Sequence, residues 1–259
     1  MHPTARHTAF GDALFEALRS RSTVAPLIDS DPDLTIDDAY LISRHLLARR
    51  LAEGETLIGK KIGVTSPAVQ NMLGVHQPDF GYLTDTMHFD GEMPISQRLI
   101  QPRAEGEIAF ILRHDLTGPG VTAEAALDAI ATAHPCFEVV DSRVRDWKIG
   151  IIDTISDNAS SGAFVMGAGV DARSVDLVGC KMVVHKNGAF LSEGFGAAAL
   201  GSPLNCVAWL ANTLGRYGIP LKAGEIILSG SLVPLEPVVA GDHMAVSIEG
   251  LGSTEVRFT

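Results

Sequence analysis

The sequence predicts an α+β protein with a helical N-terminal part and a larger, mostly antiparallel or mixed sheet. Three observations point there. Apolar residues recur at helical spacing early in the chain, at Phe10, Leu14, Ala17 and Leu18 and again at Tyr40, Ile42, Leu46 and Leu47. From about Leu57 the texture changes to short apolar runs separated by dense glycines, as strands and turns require. Beyond that point strands outnumber helices without alternating regularly, which argues against a Rossmann fold or a TIM barrel. The chain is therefore divided into a helical segment, 1–56, and a catalytic-sized domain, 57–259.

Each element has a local reason. After the loop SDPDL, Thr35 is placed to cap a helix, with Asp37 and Asp38 at the positive end of its dipole. Arg49 and Arg50 stand in its last turns, ahead of Gly54. LIGKKIGV reads as a strand and Ser66-Pro67 as a helix start. VTAEAALDAIATAH is predicted as a helix and CFEVVDS as a short buried strand. GCKMVVHKNGAFLSEG reads as a hairpin turning on Asn187-Gly188, a type I′ pair. SPLNCVAWLANTLGRYG reads as a helix capped by Ser202, with Pro203 in its first turn and Gly218 at its end. EIILSGSL, HMAVSIEG and the closing VRF are strands. The glycines of GFGAAALG serve close backbone packing, since no phosphate-loop lysine follows.

Composition narrows the partners. The 259 residues are 46% hydrophobic and carry a net charge of −11. That balance supports a sizeable core and argues against nucleic acid and anionic membrane surfaces, which need basic patches. An anionic small molecule stays open, because a bound cation inverts the local field. Three scattered cysteines, no signal-peptide core and no long apolar run suggest a cytoplasmic protein without a membrane span.

PRAEGEIAF, residues 102–110, carries the chemical question. Glu105 and Glu107 are two apart in a strand, so they share a face, with α-carbons about 6.6 Å apart. That face continues as Ala109 and Ile111. A third carboxylate, Glu138, stands inside the apolar run PCFEVV. Such glutamates are either a charged solvent face or, if they converge, the ligands of a hard divalent cation such as Mg²⁺ or Mn²⁺. Spacing alone does not bring Glu138 to the other two.

Four segments resemble the 2-keto-4-pentenoate hydratase family, which includes the 4-oxalocrotonate decarboxylases and is related to the fumarylacetoacetate hydrolases. They are GKKIGVTSPAVQNMLGVHQPDFGYL (59–83), PRAEGEIAF (102–110), FEVVDSRVRDWKIGIIDTISDNASSG (137–162) and GAAALGSPLNCVAWLANTLGRYGIPLKAGEIILSGSL (196–232). The resemblance runs from about residue 35 to the end and keeps the family's order. It implies a β-roll of the fumarylacetoacetate hydrolase type after the helical part. It also implies a divalent metal, Mg²⁺ or Mn²⁺, on Glu105, Glu107 and Glu138, and a homo-oligomer, pentamer or decamer. Asp79-Phe80 in QPDFG and the DWKIGIIDT run look like the hydratases, which add water to 2-hydroxypenta-2,4-dienoate to give 4-hydroxy-2-oxopentanoate in aromatic meta-cleavage. One departure is Ser156, where the family pattern has alanine before Asp157-Asn158.

By the same resemblance, Lys61, Asp79 and Ser160 are the candidate catalytic residues. Lys61 matches the family's lysine; strand alternation turns one of Lys60 and Lys61 inward, with the other reaching solvent. Asp79 either activates water or is a turn residue after Pro78. Ser160 and Ser161 either bond a substrate oxygen or cap their own loop. Asp141 and Arg143 form an ion pair, structural or behind Glu138. The rival readings are a decarboxylase of 2-oxo-3-hexenedioate and a non-catalytic subunit associated with a pathway decarboxylase or aldolase.

Overall fold

The computed structural model describes residues 3–66, 70–71 and 75–259. Pro67, and with it the expected helix start, lies outside the described residues, as does part of the VQNMLGVHQPDFGYL segment.

Three helices come first: α1 (Ala5–Ser20), α2 (Leu27–Ser30) and α3 (Ile36–Ala52). The expected cap is present. The Asp38 N–H donates to Thr35 Oγ1 at 3.2 Å, while the Asp38 carboxylate accepts the Thr35 N–H at 2.9 Å, closing a capping box. Leu14, Phe15, Leu27, Leu34, Ile42 and Leu46 bury one another around Val144, which comes from the body of the protein. Ala39 and Tyr40 of the same helix join the main core. There the Tyr40 ring stacks on Phe80 with centroids 4.3 Å apart. The helical segment is thus packed against the rest of the protein through two apolar clusters.

The rest is sheet with a few helices. Its first strands are β1 (Leu57–Gly63), β2 (Asp79–Thr84), β3 (His88–Phe89) and β4 (Glu92–Met93), followed by the short helix α4 (Ile95–Arg98). Then come β5 (Arg103–Leu112), α5 (Ala123–Ala129), β6 (Ile130–Val140), α6 (Ile151–Ser156), β7 (Ser161–Met166) and β8 (Val170–Asp171). The chain closes with β9 (Lys181–Lys186), β10 (Ala189–Phe195), α7 (Pro203–Gly215), β11 (Ile226–Leu228), β12 (Glu236–Pro237), β13 (His243–Ile248) and β14 (Gly252–Phe258).

One sheet runs β2-β1-β11-β5-β6-β7-β3, with β12 beside β5 and β8 beside β6; the other runs β10-β9-β13-β14-β4. The pairs β1/β11, β3/β7 and β4/β14 are parallel and the rest antiparallel, so the architecture is mixed, as expected. The first sheet curls into a half-barrel. Asn187 and Gly188 adopt φ of 53° and 80°, the two positive values that a type I′ turn demands.

Two local expectations are corrected. The helix read over VTAEAALDAIATAH ends at Ala129, and Ile130 opens an 11-residue strand that runs through Pro135 to Val140. Alanine favours helix, but β6 pairs with β5 on one side and with β7 and β8 on the other. Two ladders outweigh a propensity of a few tenths of a kcal/mol per residue. The second correction is smaller: α7 stops at Gly215, and Gly218 occupies the following turn at φ 70°.

Candidate metal centre

The pairing of β5 with β6 builds the centre. Their register sets Glu105 against Glu138 and Glu107 against Cys136, so all three carboxylates emerge on one face. One ligand oxygen from each lies within 4.8 Å of the others. The same face continues apolar: Ala109 and Cys136 pack with Leu83, Met87, Phe164, Ile226 and Leu228. The alternation that looks contradictory in the sequence is therefore a change along one surface, from a charged end to an apolar plug.

β1 adds a cation to this surface. Lys61 pairs with Leu228 of the adjacent strand β11 and is 3% exposed. Its Nζ stands 3.3 Å from Glu138 Oε1, close enough for an ion pair but without hydrogen-bond alignment. Lys60 corrects the expectation of a solvent-reaching neighbour. It points to the other side, is also buried, and bonds Glu225 Oε1 at 2.5 Å. Both lysines are internal because the sheet is covered on both faces.

Asp79 opens β2 opposite Gly63 of β1. A Cβ on Gly63 would fall 2.4 Å from Asp79 Oδ1 and 3.3 Å from Lys61 Nζ, so glycine makes room for the acid beside the ammonium. Asp79 is fully buried. Its Oδ2 accepts a weak bond from Thr154 Oγ1 at 3.5 Å, and Thr154 Oγ1 is 3.4 Å from Ser160 Oγ. Lys61, Asp79, Thr154 and Ser160 thus form one polar line beside the carboxylates.

Ser160 stands in a strained turn. Asn158, Ala159 and Ser160 have φ of 56°, 50° and 53°, each costing on the order of 1 kcal/mol or more. The surroundings hold them there. Asn158 accepts the Tyr82 N–H through Oδ1 at 2.7 Å and donates through Nδ2 to the Tyr82 carbonyl at 2.9 Å. The turn is thereby clipped to β2. Arg143 donates from its backbone N–H and Nε to the Asp157 carboxylate at 2.8 and 2.6 Å, and from Nη2 to the Asp157 carbonyl at 2.6 Å. The expected Asp141–Arg143 ion pair is corrected here: Arg143 pairs with Asp157, while Asp141 accepts the N–H groups of Ile100 and Gln101. The Asp141 carboxylate is already engaged by those backbone N–H groups, and Arg143 turns instead to Asp157, which the end of α6 brings alongside it.

The electrostatics are those of a cation site. Glu107 Oε2 accepts the Gly230 N–H at 2.8 Å, but Glu107 Oε1, both oxygens of Glu138 and Asp79 Oδ1 have no hydrogen-bond donor. Burial, then the charge of Glu138, pushes Glu105 up to about 7. Burial raises Glu107 and Glu138 as well, and raises Asp79 against the pull of Lys61. Burial pulls Lys61 down, but Glu138, Asp79, Glu105 and Glu107 more than offset it, so the group stays an ammonium. Buried carboxylate oxygens without donors are costly unless a cation meets them. Oxygen-only donors suit magnesium, manganese or calcium, and Glu105, Glu107 and Glu138 fit that role.

Sequence reasoning named Lys61, Asp79, Ser160 and the three glutamates, and the fold brings all six into one region. It missed Thr154 and the clip made by Asn158. Both lie in the quoted DTISDNASSG stretch, but no spacing rule marks a side chain that bonds a strand 76 residues away.

The chain combines a half-barrel of mixed strands with a buried carboxylate triad. Residues 66–259 match the family model described as Fumarylacetoacetate (FAA) hydrolase C-terminal, and the chain belongs to that family. Within it, the chain is similar to several proteins named as hydratases. The chain is 66% identical over 212 residues to a 2-hydroxypent-2,4-dienoate hydratase of Pseudomonas putida, covering 81% of this chain and 96% of that one. It is 56% identical over 253 residues to a 2-hydroxyhexa-2,4-dienoate hydratase of Comamonas testosteroni, covering 96% of each. Among solved structures, the 4-oxalocrotonate decarboxylase of Pseudomonas putida G7, complexed with magnesium and adipate, matches over 100% of both chains with a TM-score of 0.96 and 34% identity.

Proposed function

We propose that this protein is a metal-dependent hydratase that adds water to 2-hydroxypenta-2,4-dienoate, giving 4-hydroxy-2-oxopentanoate in aromatic meta-cleavage. The observation that carries the reading is the buried triad with its donorless oxygens beside a single ammonium, in a chain whose relatives at 56% and 66% identity are dienoate hydratases. Glu105, Glu107 and Glu138 would hold the cation. Magnesium or manganese bound there would supply a Lewis acid to polarise the substrate.

The protein's own groups do the rest. Lys61, kept protonated by its carboxylate neighbours, pairs with the substrate carboxylate and holds it against the triad. Asp79 has a raised proton affinity and a free Oδ1, which suits a group that takes a proton from water and returns one to carbon. Thr154 orients Asp79 through its other oxygen. Ser160 offers a hydroxyl to the substrate oxygen from a turn whose geometry is fixed before binding.

The decarboxylase reading is the rival, since its substrate carries a second carboxylate. Among the described residues the centre holds one ammonium, already paired with Glu138. A monocarboxylate therefore fits better than a dicarboxylate. We also propose that the protein acts as a homo-oligomer, pentamer or decamer, in the cytoplasm, where Cys136, Cys180 and Cys206 stay free thiols. Association with a pathway decarboxylase or aldolase belongs to the same proposal.

The test is ultraviolet decay of freshly generated 2-hydroxypenta-2,4-dienoate, with EDTA-stripped protein before and after Mg²⁺ or Mn²⁺. Metal-dependent formation of 4-hydroxy-2-oxopentanoate supports the reading. Release of carbon dioxide from 2-oxo-3-hexenedioate without hydration moves it to the decarboxylase. Glu105→Gln should lower kcat by at least a hundredfold and weaken metal binding in titration calorimetry; full activity would sink both the metal role and the catalytic reading.

A further inference from the structure

Four arginines converge on one cavity in a protein whose net charge is −11. The cavity measures about 290 Å³ and lies between the helical layer and the β3–α4 side of the sheets. Arg19 and Arg21 reach it from the end of α1, Arg50 from the last turn of α3 and Arg98 from α4. It lies outside the carboxylate centre, and none of the residues assigned to that centre lines it.

The arginines are not neutralised. Arg50 is 7% exposed and is fixed by Glu55 Oε2 and Thr84 Oγ1, each at 2.8 Å. Arg19 pairs with Glu53 at 2.8 Å. Arg21 and Arg98 have no carboxylate partner among the described residues. Arg21 Nη1 donates to the Ser96 carbonyl at 2.8 Å, and Arg98 Nη2 to the Thr86 carbonyl at 3.2 Å. The Arg98 guanidinium also lies 5.1 Å over the Phe89 ring, which holds its plane. Four guanidinium groups thus meet two carboxylates, and two positive charges remain. Guanidinium groups are weakly hydrated forks that match paired oxygens, and like charges gathered around a cavity repel unless an anion joins them.

We infer that this cavity is a binding site for a small dianion, either phosphate or a short dicarboxylate. Two uncompensated charges match a dianion rather than a monoanion, and the volume suits a molecule of a few heavy atoms. Arg50 is the buried anchor, with Arg21 and Arg98 closing from the solvent side. The floor includes Gly162 and Ala163 of β7, so the site rests on the strand that follows Ser160.

The experiment is calorimetric titration of the EDTA-treated full chain with inorganic phosphate and, separately, with succinate. Ionic strength is held constant with sodium chloride, and acetate serves as the monoanion control. Saturable binding of at least one dianion, with acetate at least tenfold weaker, is expected; competition between phosphate and succinate tells which chemistry the site prefers. Arg21→Gln and Arg98→Gln, both exposed positions, should each weaken that binding at least tenfold while dienoate turnover in the metal-loaded protein is unchanged. Binding equal in wild type and variants overturns the proposal, as does the absence of any dianion binding. A change of oligomeric state in the variants, with no dianion bound by either form, overturns it in favour of an acidic segment of a second copy.

Discussion

At the scale of single residues, the centre depends on what is absent as much as on what is present. Gly63 is the clearest case. A methyl group there would meet Asp79 Oδ1 at 2.4 Å, closer than any real Cβ contact, and would push the carboxylate from Lys61 and Thr154. Gly63→Ala is expected to cut kcat by ten- to a hundredfold while the protein stays folded and binds metal through the triad. Steady-state kinetics beside metal titration checks this; unchanged kcat would show that Asp79 has no exacting position. The spacing of Glu105 and Glu107 and the placement of Glu138 in an apolar run raised the metal question from the sequence alone, whereas Lys61, Asp79 and Ser160 were singled out by the family resemblance. The sequence could not show Gly63 as a spacer, because the side chain it accommodates lies 16 positions further along and meets it only through strand pairing.

At the scale of elements, the turn at Asn158–Ser160 is the instructive one. Three successive residues in the left-handed region do not arise from local preference, and none is glycine. They persist because Asn158 occupies both backbone groups of Tyr82 and because Arg143 binds Asp157. Asn158→Ala removes two buried hydrogen bonds and leaves the backbone groups of Tyr82 without partners. It should cost about 2–4 kcal/mol of stability and lower kcat more than it raises KM, because the Ser160 hydroxyl is no longer held in place. Denaturant unfolding together with kinetics tests both parts; a loss of stability with unchanged kcat would assign the clip to folding alone. The same scale explains the misread helix. Ala123–Ala129 is helical and Ile130–Val140 is a strand within one alanine-rich stretch. Its local composition does not contain the neighbours β5, β7 and β8 that decide the boundary.

For the whole molecule, the concentration of buried carboxyl groups sets how stability answers to pH. Glu105 is raised from 4.5 to about 7, Asp157 from 3.8 to about 6, and Glu107, Glu138 and Asp79 are raised too. Each raised group binds its proton more tightly folded than unfolded. Between about pH 4.5 and 7 the metal-free folded chain therefore holds more protons than the unfolded one, and its stability falls as pH rises through that window. Melting of EDTA-treated protein should drop by several degrees from pH 5 to pH 7.5. Added Mg²⁺ or Mn²⁺ should recover the loss at the higher pH and have little effect at the lower, where protons compete for the same oxygens. A melting temperature that rises over this window without metal would contradict the assignment.

The sequence by itself determined the class of the fold, the helix cap at Thr35, the hairpin turn at Asn187-Gly188 and the residue types of the centre. These follow from short-range rules: period, capping, turn conformation and the chemistry of side chains. The convergence of Glu138 on Glu105 and Glu107, the inward position of both Lys60 and Lys61, and the choice of Asp157 over Asp141 as the partner of Arg143 were decided only in three dimensions. The physical reason is common to all three. Each depends on groups carried by strands and turns that are distant in sequence and become adjacent only when the sheet pairs and the chain folds back on it.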